Sequence, residues 1–423
     1  MIPLIKWPNI RGNAWFAKDE FIRKSAVMFL ASIIGSICNY FYQIYVGRAV
    51  GPEEYGTFGS LFAIIYFIGV FSTSIQSAGT WFISKLKSEG QIDDIGVFLY
   101  DLIKRTSIIG ISCFAIFCLA SPWIADFLKI ESTSEVVIIG TVILLSFILP
   151  TTSSGLQGLQ LFNSLAWVNI LTYVPKLLFG ILLVDLGYGV SGALGAVTIG
   201  MIIAFLFSLI PLRSYFIGRP KGSSNKFKKI YLYTVPTISI MICLTVPSNL
   251  DVILAKHYFD NYDVGLYTAA SVIGKMIFFL PWAISVVMFP KVSEMNAARK
   301  NTIALLNRSL IYSALLSGFA TIVFLVSPNL IGTIFGPIYL EASSIMKVYV
   351  IMMFLVSLTS VIAQYCLAIN SMKYAFLLIF FTILEIALII FIHDSTLQMA
   401  KMLMGTNLLL FLTSYGYVLR LKP

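Results

Sequence analysis

The sequence predicts an all-α membrane protein with about twelve helices crossing the bilayer, because its long apolar runs have the length of a membrane span. Apolar residues make up 58% of the 423 residues and charged residues 11%. A soluble domain carries about twice that charged share. Backbone polar groups in lipid must find their hydrogen-bond partners within the protein, so only helices or closed barrels can span a membrane. The strands of a barrel would appear in the sequence as segments of about ten residues in which apolar and polar residues alternate. The runs here are uninterrupted, which favours helices.

Twelve such runs follow one another along the chain. They cover residues 25–46, 57–83, 106–125, 136–152, 161–184, 187–212, 230–254, 264–288, 309–326, 342–369, 374–391 and 395–419. The longest hydrophilic connection, 213–229, carries six basic residues among glycine, proline and serine, which predicts a flexible cytoplasmic linker. We therefore expect an interfacial segment at 1–24, a six-helix lobe at 25–212, this linker, and a second six-helix lobe at 230–423.

A short repeat supports two pseudo-symmetric lobes. The segments 47–58 and 255–267 each place a basic residue, Arg48 or Lys256, at the end of the first run of their lobe. An acidic cluster, a glycine, a spacer and an aromatic residue follow in both. An even number of spans in each half makes the halves parallel, as in transporters whose repeats are related by an axis along the membrane normal.

The distribution of basic residues predicts the orientation. The loops on one side of the bundle, together with both terminal segments, contain 22 Lys and Arg residues, whereas the loops on the other side contain three. Basic loops stay in the cytoplasm, so both termini are expected on the cytoplasmic side of a cell membrane. The net charge of +10 comes from these basic residues, which flank the spans on the cytoplasmic side and can contact anionic lipid head groups. Nucleic acid is not an expected partner.

Motifs that would indicate an enzyme are lacking in the sequence. His257 and His393 fall in short outer loops, where we expect solvated side chains. No phosphate-binding loop, zinc-protease motif or paired-carboxylate motif occurs. The five cysteines fall inside predicted spans without a C-x-x-C pair and are expected to act as small apolar residues. We expect no enzymatic activity, catalytic residue, metal site or cofactor.

Polar residues inside the first two spans share helical faces. Ser32, Ser36, Asn39 and Gln43 are spaced four, three and four residues apart, and Gln76 belongs to a similar face of the second span. The serine and threonine side chains are as well suited to hydrogen bonding between helices as to lining a cavity. The three amide side chains favour a water-lined cavity.

Four lysines lie inside predicted spans, where each charge costs about 2.5–3.5 kcal/mol at a helix centre. Lys347 and Lys401 lie near the outer face, so their side chains can extend to the interface and are expected to be structural. Lys176 and Lys275 are the deepest cations. A lysine at that depth needs either an anionic ligand or an internal carboxylate partner.

Two acids inside the spans, Asp251 and Glu385, are the available internal partners. Membrane carboxylates also mark proton and sodium pathways, so both are candidates for coupling to H⁺ or Na⁺. An alternative for Asp251 is that it ends its helix near the interface.

Several sequence motifs resemble those of a known family. In the first half these are Asn39-Tyr40, Gly47-Arg48 and the stretch 51–56, which reads GPEEYG. In the second half they are 249–251 (NLD), 264–267 (VGLY) and 289–291 (FPK). The chain resembles polysaccharide-biosynthesis membrane proteins, the O-antigen (Wzx-type) flippases of the multidrug/oligosaccharidyl-lipid/polysaccharide exporter superfamily.

The resemblance implies two lobes around a cationic central cavity. Such a protein would flip a polyprenyl-(pyro)phosphate-linked oligosaccharide to the outer leaflet by alternating access, for O-antigen and lipopolysaccharide synthesis. The implied cavity residues are Arg48 at the mouth and Lys176 and Lys275 deeper, beside the amides named above. Fewer basic residues line these spans than the family pattern leads one to expect. The implied partners are this lipid-linked substrate, membrane lipids, H⁺ or Na⁺, and glycan assembly proteins.

Two other functions fit parts of the sequence. A drug or metabolite antiporter of the same fold would show cation-dependent efflux without a requirement for glycan. A membrane glycan polymerase or ligase would need larger outer loops than the roughly ten-residue connections expected between spans.

The topology can be tested with reporters fused at single positions. Fusions after Lys87, Arg219 and Lys300 should report the cytoplasm, because they follow the basic loops. Fusions after Pro52, Lys129 and His257 should report the outside. An outer location for the Arg219 fusion would refute the twelve-span arrangement.

Overall fold

The computed structural model describes residues 20–216, 245, 249–298, 300–371 and 373–420, and these residues form helices joined by short turns, without strands. The helices are α1 (Glu20–Ser88), α2 (Ile92–Phe127), α3 (Thr133–Gly158), α4 (Phe162–Leu183), α5 (Gly189–Phe216), α6 (Leu250–Tyr258), α7 (Asn261–Phe279), α8 (Trp282–Ala297), α9 (Ile303–Val326), α10 (Leu330–Phe335), α11 (Ser343–Ala368), α12 (Tyr374–Phe391) and α13 (Thr396–Arg420). The predicted all-α membrane fold is confirmed.

Nine helical stretches of the described residues are long and apolar enough to cross a membrane. Two of them, Ala26–Ser88 and Phe162–Phe216, each hold two of the predicted runs. The predicted run 230–254 lies mostly outside the described residues, as do most of the linker 213–229 and residues 1–19 of the N-terminal segment.

A corner at Gly51 replaces the expected connection between the first two spans. Residues 20–88 form one helical element of 69 residues, bent where Gly51 adopts φ 77° and ψ 172°. Glycine takes a positive φ without a steric penalty, and Pro52 cannot donate the backbone hydrogen bond that would continue the first helix. A second corner at Gly187, φ 88°, joins α4 to α5.

Prolines inside the helices free carbonyl groups that nearby hydroxyls use. Pro150 lies inside α3, so the carbonyl of Ser146 lacks its helical partner. The Ser72 hydroxyl of α1 donates to that carbonyl, which links the two helices. In α2, Pro122 similarly frees the Cys118 carbonyl, and the Ser121 hydroxyl donates to it at 2.7 Å.

The two lobes meet at one end of the bundle, which we call the Gly51 end. There a single apolar core contains residues of both lobes, including Tyr55 and Phe58 of α1 together with Val264 and Tyr267 of α7. Toward the opposite end, each lobe has its own core, one around Phe98 and the other around Tyr365. The lobes are therefore joined near the Gly51 end and packed separately beyond it.

Glycines allow α1 and α7 to approach closely where the lobes meet. A Cβ atom on Gly265 would lie 1.8 Å from the Pro52 carbonyl oxygen, and one on Gly59 would lie 2.3 Å from Cγ2 of Thr268. A Cβ on Gly56 would be 2.6 Å from the Asn261 carbonyl oxygen. Small residues permit such backbone approach between membrane helices.

Replacing Gly265 with alanine should separate the lobes at this end, because the methyl group would overlap backbone atoms of the other lobe. We expect a lower thermal midpoint and faster labelling of a cysteine at Thr57 by an impermeant maleimide, in a cysteine-free background. Gly405→Ala is the matched control, since nothing lies within 4 Å of its added Cβ. Alanine there should be neutral or stabilise the helix by up to about 1 kcal/mol. Equal behaviour of both variants would contradict close packing at Gly265.

Candidate functional site

Lys176 of α4 is buried, with 4% of its surface exposed. Its Nζ donates a hydrogen bond to Asn39 Oδ1 of α1 at 2.6 Å. The same nitrogen lies 4.3, 4.7 and 5.8 Å from the ring centroids of Tyr42, Phe62 and Tyr173. Aromatic faces stabilise a cation electrostatically. Among the described residues, Lys176 has no carboxylate partner, so an amide oxygen and aromatic rings hold its charge.

Lys275 of α7 is buried in the second lobe, with 8% of its surface exposed. Its Nζ lies 5.3 Å from the ring centroid of Tyr66, which belongs to α1 of the first lobe. The Tyr66 hydroxyl lies next to the amides of Asn39 and Gln43. Tyr66 therefore connects Lys275 with the residues around Lys176. The two lysines extend from different lobes toward one shared group of side chains.

Asp251, in the first turn of α6, is the acid whose charge acts on Lys275, although no salt bridge or hydrogen bond joins the two side chains. Its Oδ2 accepts hydrogen bonds from the hydroxyls of Tyr267 at 2.8 Å and Tyr349 at 2.6 Å. Its Oδ1 is buried without a hydrogen-bond partner among the described residues. A buried carboxylate oxygen without a donor is costly, so this atom is a ready acceptor for a further donor or a cation.

Glu385 of α12 lies close enough to Asp251 for their charges to interact. Its Oε1 accepts hydrogen bonds from Asn407 Nδ2 at 2.7 Å and Thr406 Oγ1 at 3.4 Å. The Oδ1 atom of Asn407 is also buried without a partner among the described residues. With every group ionised, Asp251, Glu385 and Lys275 carry two negative charges and one positive charge. The net charge of these three groups is then −1, so one further positive charge would neutralise them.

The structure brings together only part of the predicted cavity. Gln43 is buried beside Tyr66, in the same group as Asn39 and Lys176. Arg48 instead lies at the Gly51 end, where its guanidinium donates to the Thr333 carbonyl of the second lobe. Gln76 donates to Gln157 Oε1 of α3 at 2.9 Å, a contact within the first lobe.

Sequence reasoning missed several residues that the fold places at these sites. Lys256, counted as a loop residue, is fully buried and donates to Thr57 Oγ1 at 2.9 Å and to Asn261. Tyr66, Tyr349, Thr406 and Asn407 were not singled out, and Tyr267 was noted only as part of the motif 264–267. A signal was available for Lys256, because the short repeat pairs it with Arg48.

His257 keeps part of its surface exposed, but it lies in the last turn of α6 and makes specific contacts. Its ring is half-buried and stacks on Phe127 with 4.1 Å between the centroids. Its Nδ1 lies 2.8 Å from the Phe127 carbonyl oxygen, so the ring joins α6 to the end of α2. Near this contact, a cavity of about 400 Å³ is lined by Glu53, Glu54, Glu131 and Glu135.

Comparisons with known proteins agree with this architecture. The family model described as polysaccharide biosynthesis protein matches residues 21–296. A search of curated protein sequences gives no match.

Solved structures of MATE family transporters and of a lipid II flippase share the fold. An inward-facing multidrug resistance MATE family transporter has a TM-score of 0.77 at 14% identity, covering 91% of this chain and 94% of that chain. The lipid II flippase MurJ in an inward closed conformation has a TM-score of 0.71 at 18% identity, covering 94% and 87%. An outward-facing MATE transporter has a TM-score of 0.66 at 14% identity and covers 97% of each chain. At these identities the likeness shows the fold alone.

The two lysines should differ in their effect on stability. Lys275→Ala removes the buried cation whose charge interacts with that of Asp251, and a charge interaction beyond salt-bridge distance is worth about 2 kcal/mol in a protein interior. Lys176→Ala removes a cation without leaving a carboxylate unpaired, so its thermal midpoint should fall less. The double variant Asp251→Asn with Lys275→Ala should recover part of the loss in a double-mutant cycle. Equal losses for both lysines, with no recovery, would contradict an interaction between Asp251 and Lys275.

Proposed function

Because the chain belongs to the polysaccharide biosynthesis protein family, we propose that it flips a polyprenyl-(pyro)phosphate-linked oligosaccharide from the cytoplasmic to the outer leaflet. The observation that carries this proposal is the pair of buried lysines, Lys176 and Lys275, which face one group of side chains from different lobes. The product would supply surface polysaccharide such as the O-antigen of lipopolysaccharide. The protein acts as a transporter and carries out no chemical step on its substrate.

The cost of moving polar groups explains why such a substrate needs a polar path. A phosphate and its sugars would each lose hydrogen bonds to water in hydrocarbon, at several kcal/mol for every unsatisfied group. Lysine ammonium groups attract phosphate as point charges. Asn39 and Gln43 add amide donors and acceptors suited to sugar hydroxyls. The lipid tail remains in the bilayer while the head group passes between the lobes.

Alternating access would use the contact between the lobes at the Gly51 end. The charge distribution supports an outer location for this end. The shared core there closes the outer side, and the separate cores beyond it allow each lobe to move as a unit. Release to the outer leaflet then requires α1 and α7 to part at Gly59 and Gly265. Rocking of two repeats around a fixed site is a common transporter mechanism.

Asp251 and Glu385 support coupling to H⁺ or Na⁺. Both are buried in the second lobe, their charges interact, and one oxygen of Asp251 lacks a donor among the described residues. A cation bound there would relieve the repulsion between two carboxylates. Membrane lipids and glycan assembly proteins are the other proposed partners.

A reconstituted flipping assay tests the proposal. Vesicles containing the full chain should move a fluorescent polyprenyl-pyrophosphate oligosaccharide between leaflets. Lys176→Ala should slow this about tenfold or more, because a hydrogen bond to a charged group contributes about 1.5–3 kcal/mol. Lys401→Ala is the matched control, since that lysine also lies inside a span but is exposed. Flipping that is equally fast in the wild type and both variants would exclude Lys176 from the substrate path.

Two further arms of the same assay separate the alternatives. Asp251→Asn should abolish acceleration by an imposed proton or sodium gradient while substrate binding persists. Loss of binding would instead make Asp251 a substrate contact. Cation-driven efflux of organic drugs, with no flipping of the lipid-linked glycan, would establish the antiporter in place of the flippase.

A further inference from the structure

We infer that Tyr66 is a positioning residue for the anionic head group: its ring face holds the ammonium of Lys275 from the opposite lobe until the anion takes the place of the ring. This role rests on the proposed function, in which Lys275 meets the anion. It adds how that ammonium is held when no substrate is bound, and it makes the ring a competitor of the substrate.

The ammonium of Lys275 lacks a polar partner among the described residues. The side chain is buried, with 8% of its surface exposed, yet its Nζ makes neither a hydrogen bond nor a salt bridge with any described residue. The ring of Tyr66, 5.3 Å away at its centroid, lies within the range of a cation–π contact. An ammonium has three N–H donors, and leaving buried donors unsatisfied is costly. All three are therefore available to the oxygens of a phosphate.

The contact between Tyr66 and Lys275 crosses from one lobe to the other. Tyr66 belongs to α1 and Lys275 to α7, the two helices whose backbones approach at Gly56 and Gly265. Each of the two side chains lies ten residues beyond the glycine of its own helix. Ten helical residues span about 15 Å. The contact therefore lies well inside the bundle, where it depends on the separation of the lobes.

A neutral ring suits a site that must exchange its occupant. A carboxylate bonded to the ammonium would repel an incoming phosphate, whereas a ring face carries no net charge. A phosphate oxygen also accepts a charge-assisted hydrogen bond from the ammonium, which is stronger than the attraction of a ring. The head group therefore displaces the ring from Lys275. When the head group leaves, the ring takes the ammonium back, which favours release.

Lys176 provides the internal contrast. Phe62, one turn before Tyr66 on α1, meets the Tyr66 ring edge to face at 5.4 Å and lies 4.7 Å from the Nζ of Lys176. That nitrogen, however, also donates a hydrogen bond to Asn39 Oδ1 at 2.6 Å. Lys176 thus has a polar partner besides its rings, and Lys275 has a ring alone. The competition by Tyr66 must act through Lys275.

A double-mutant cycle tests this route with inorganic pyrophosphate, whose binding to the purified full-length protein is measured by calorimetry at fixed pH and salt. Tyr66→Leu removes the ring, and pyrophosphate should bind about fivefold tighter, since its competitor is gone. The same gain should appear in the Lys176→Ala background and vanish in the Lys275→Ala background. A tyrosine that only supported the packing of the site would, on removal, weaken binding in all three backgrounds.

A second series changes the electrons of the ring and keeps its shape. Tyr66→Phe is the reference, and analogues of phenylalanine with an increasing number of fluorine atoms then replace it at position 66. Fluorine withdraws electron density from the ring face and so weakens its attraction for a cation. Pyrophosphate should bind more tightly with each added fluorine. The same series at Phe58, which has no lysine over its ring among the described residues, is the matched control and should leave the affinity unchanged.

The outcomes separate this role from the proposed function. If Lys275→Ala fails to fold, the fluorinated series decides, because it retains both the lysine and the shape of the ring. Pyrophosphate binding that ignores the fluorine content at position 66, or a gain from Tyr66→Leu that survives in Lys275→Ala, would overturn the role of Tyr66 and leave the flipping proposal intact. A wild-type protein that binds no pyrophosphate would overturn the proposed anionic head group, and the role of Tyr66 with it.

Discussion

A charge buried among membrane helices costs about 2.5–3.5 kcal/mol, and the interior of this bundle is arranged to reduce that cost. The chain uses two different solutions. Lys176 is held by the Asn39 amide oxygen and by three aromatic rings. The charge of Lys275 interacts with that of Asp251 without a salt bridge between them, and Asp251 itself accepts hydrogen bonds from two tyrosine hydroxyls. The first solution surrounds the cation with neutral groups, whereas the second sets it within the field of a buried carboxylate of its own lobe.

The lipid surroundings also determine how the lobes are joined. A large apolar contact in lipid would give little driving force for association, so close packing and hydrogen bonds must hold membrane helices together. Gly59 and Gly265 let α1 and α7 touch through their backbones near the Gly51 end. Away from that end, each lobe is stabilised by its own core. A joint confined to one end can open without disturbing the packing inside either lobe.

The sequence predicted the local features well and the spatial ones poorly. Apolar length is a local property, and the predicted run 374–391 coincides with α12. The corner at Gly51 was predicted as a longer connection, because a run of hydropathy does not reveal a single positive φ. Asn39 and Gln43 could be placed on one helical face, but only the fold shows that Asn39 meets Lys176 from α4. Gln76 has the same residue type and spacing, yet it packs against Gln157.

The short repeat has a structural meaning that its residue types alone did not reveal. Arg48, in the first copy, donates to the Thr333 carbonyl of the second lobe. Lys256, in the second copy, donates to Thr57 of the first lobe. Each lobe thus contributes one basic side chain that reaches the other, at the end where the glycines meet. Two lobes with parallel topology can exchange equivalent contacts in this way. Because each contact is a single hydrogen-bonding side chain, the alternating access proposed above would require both to break when the lobes part at this end.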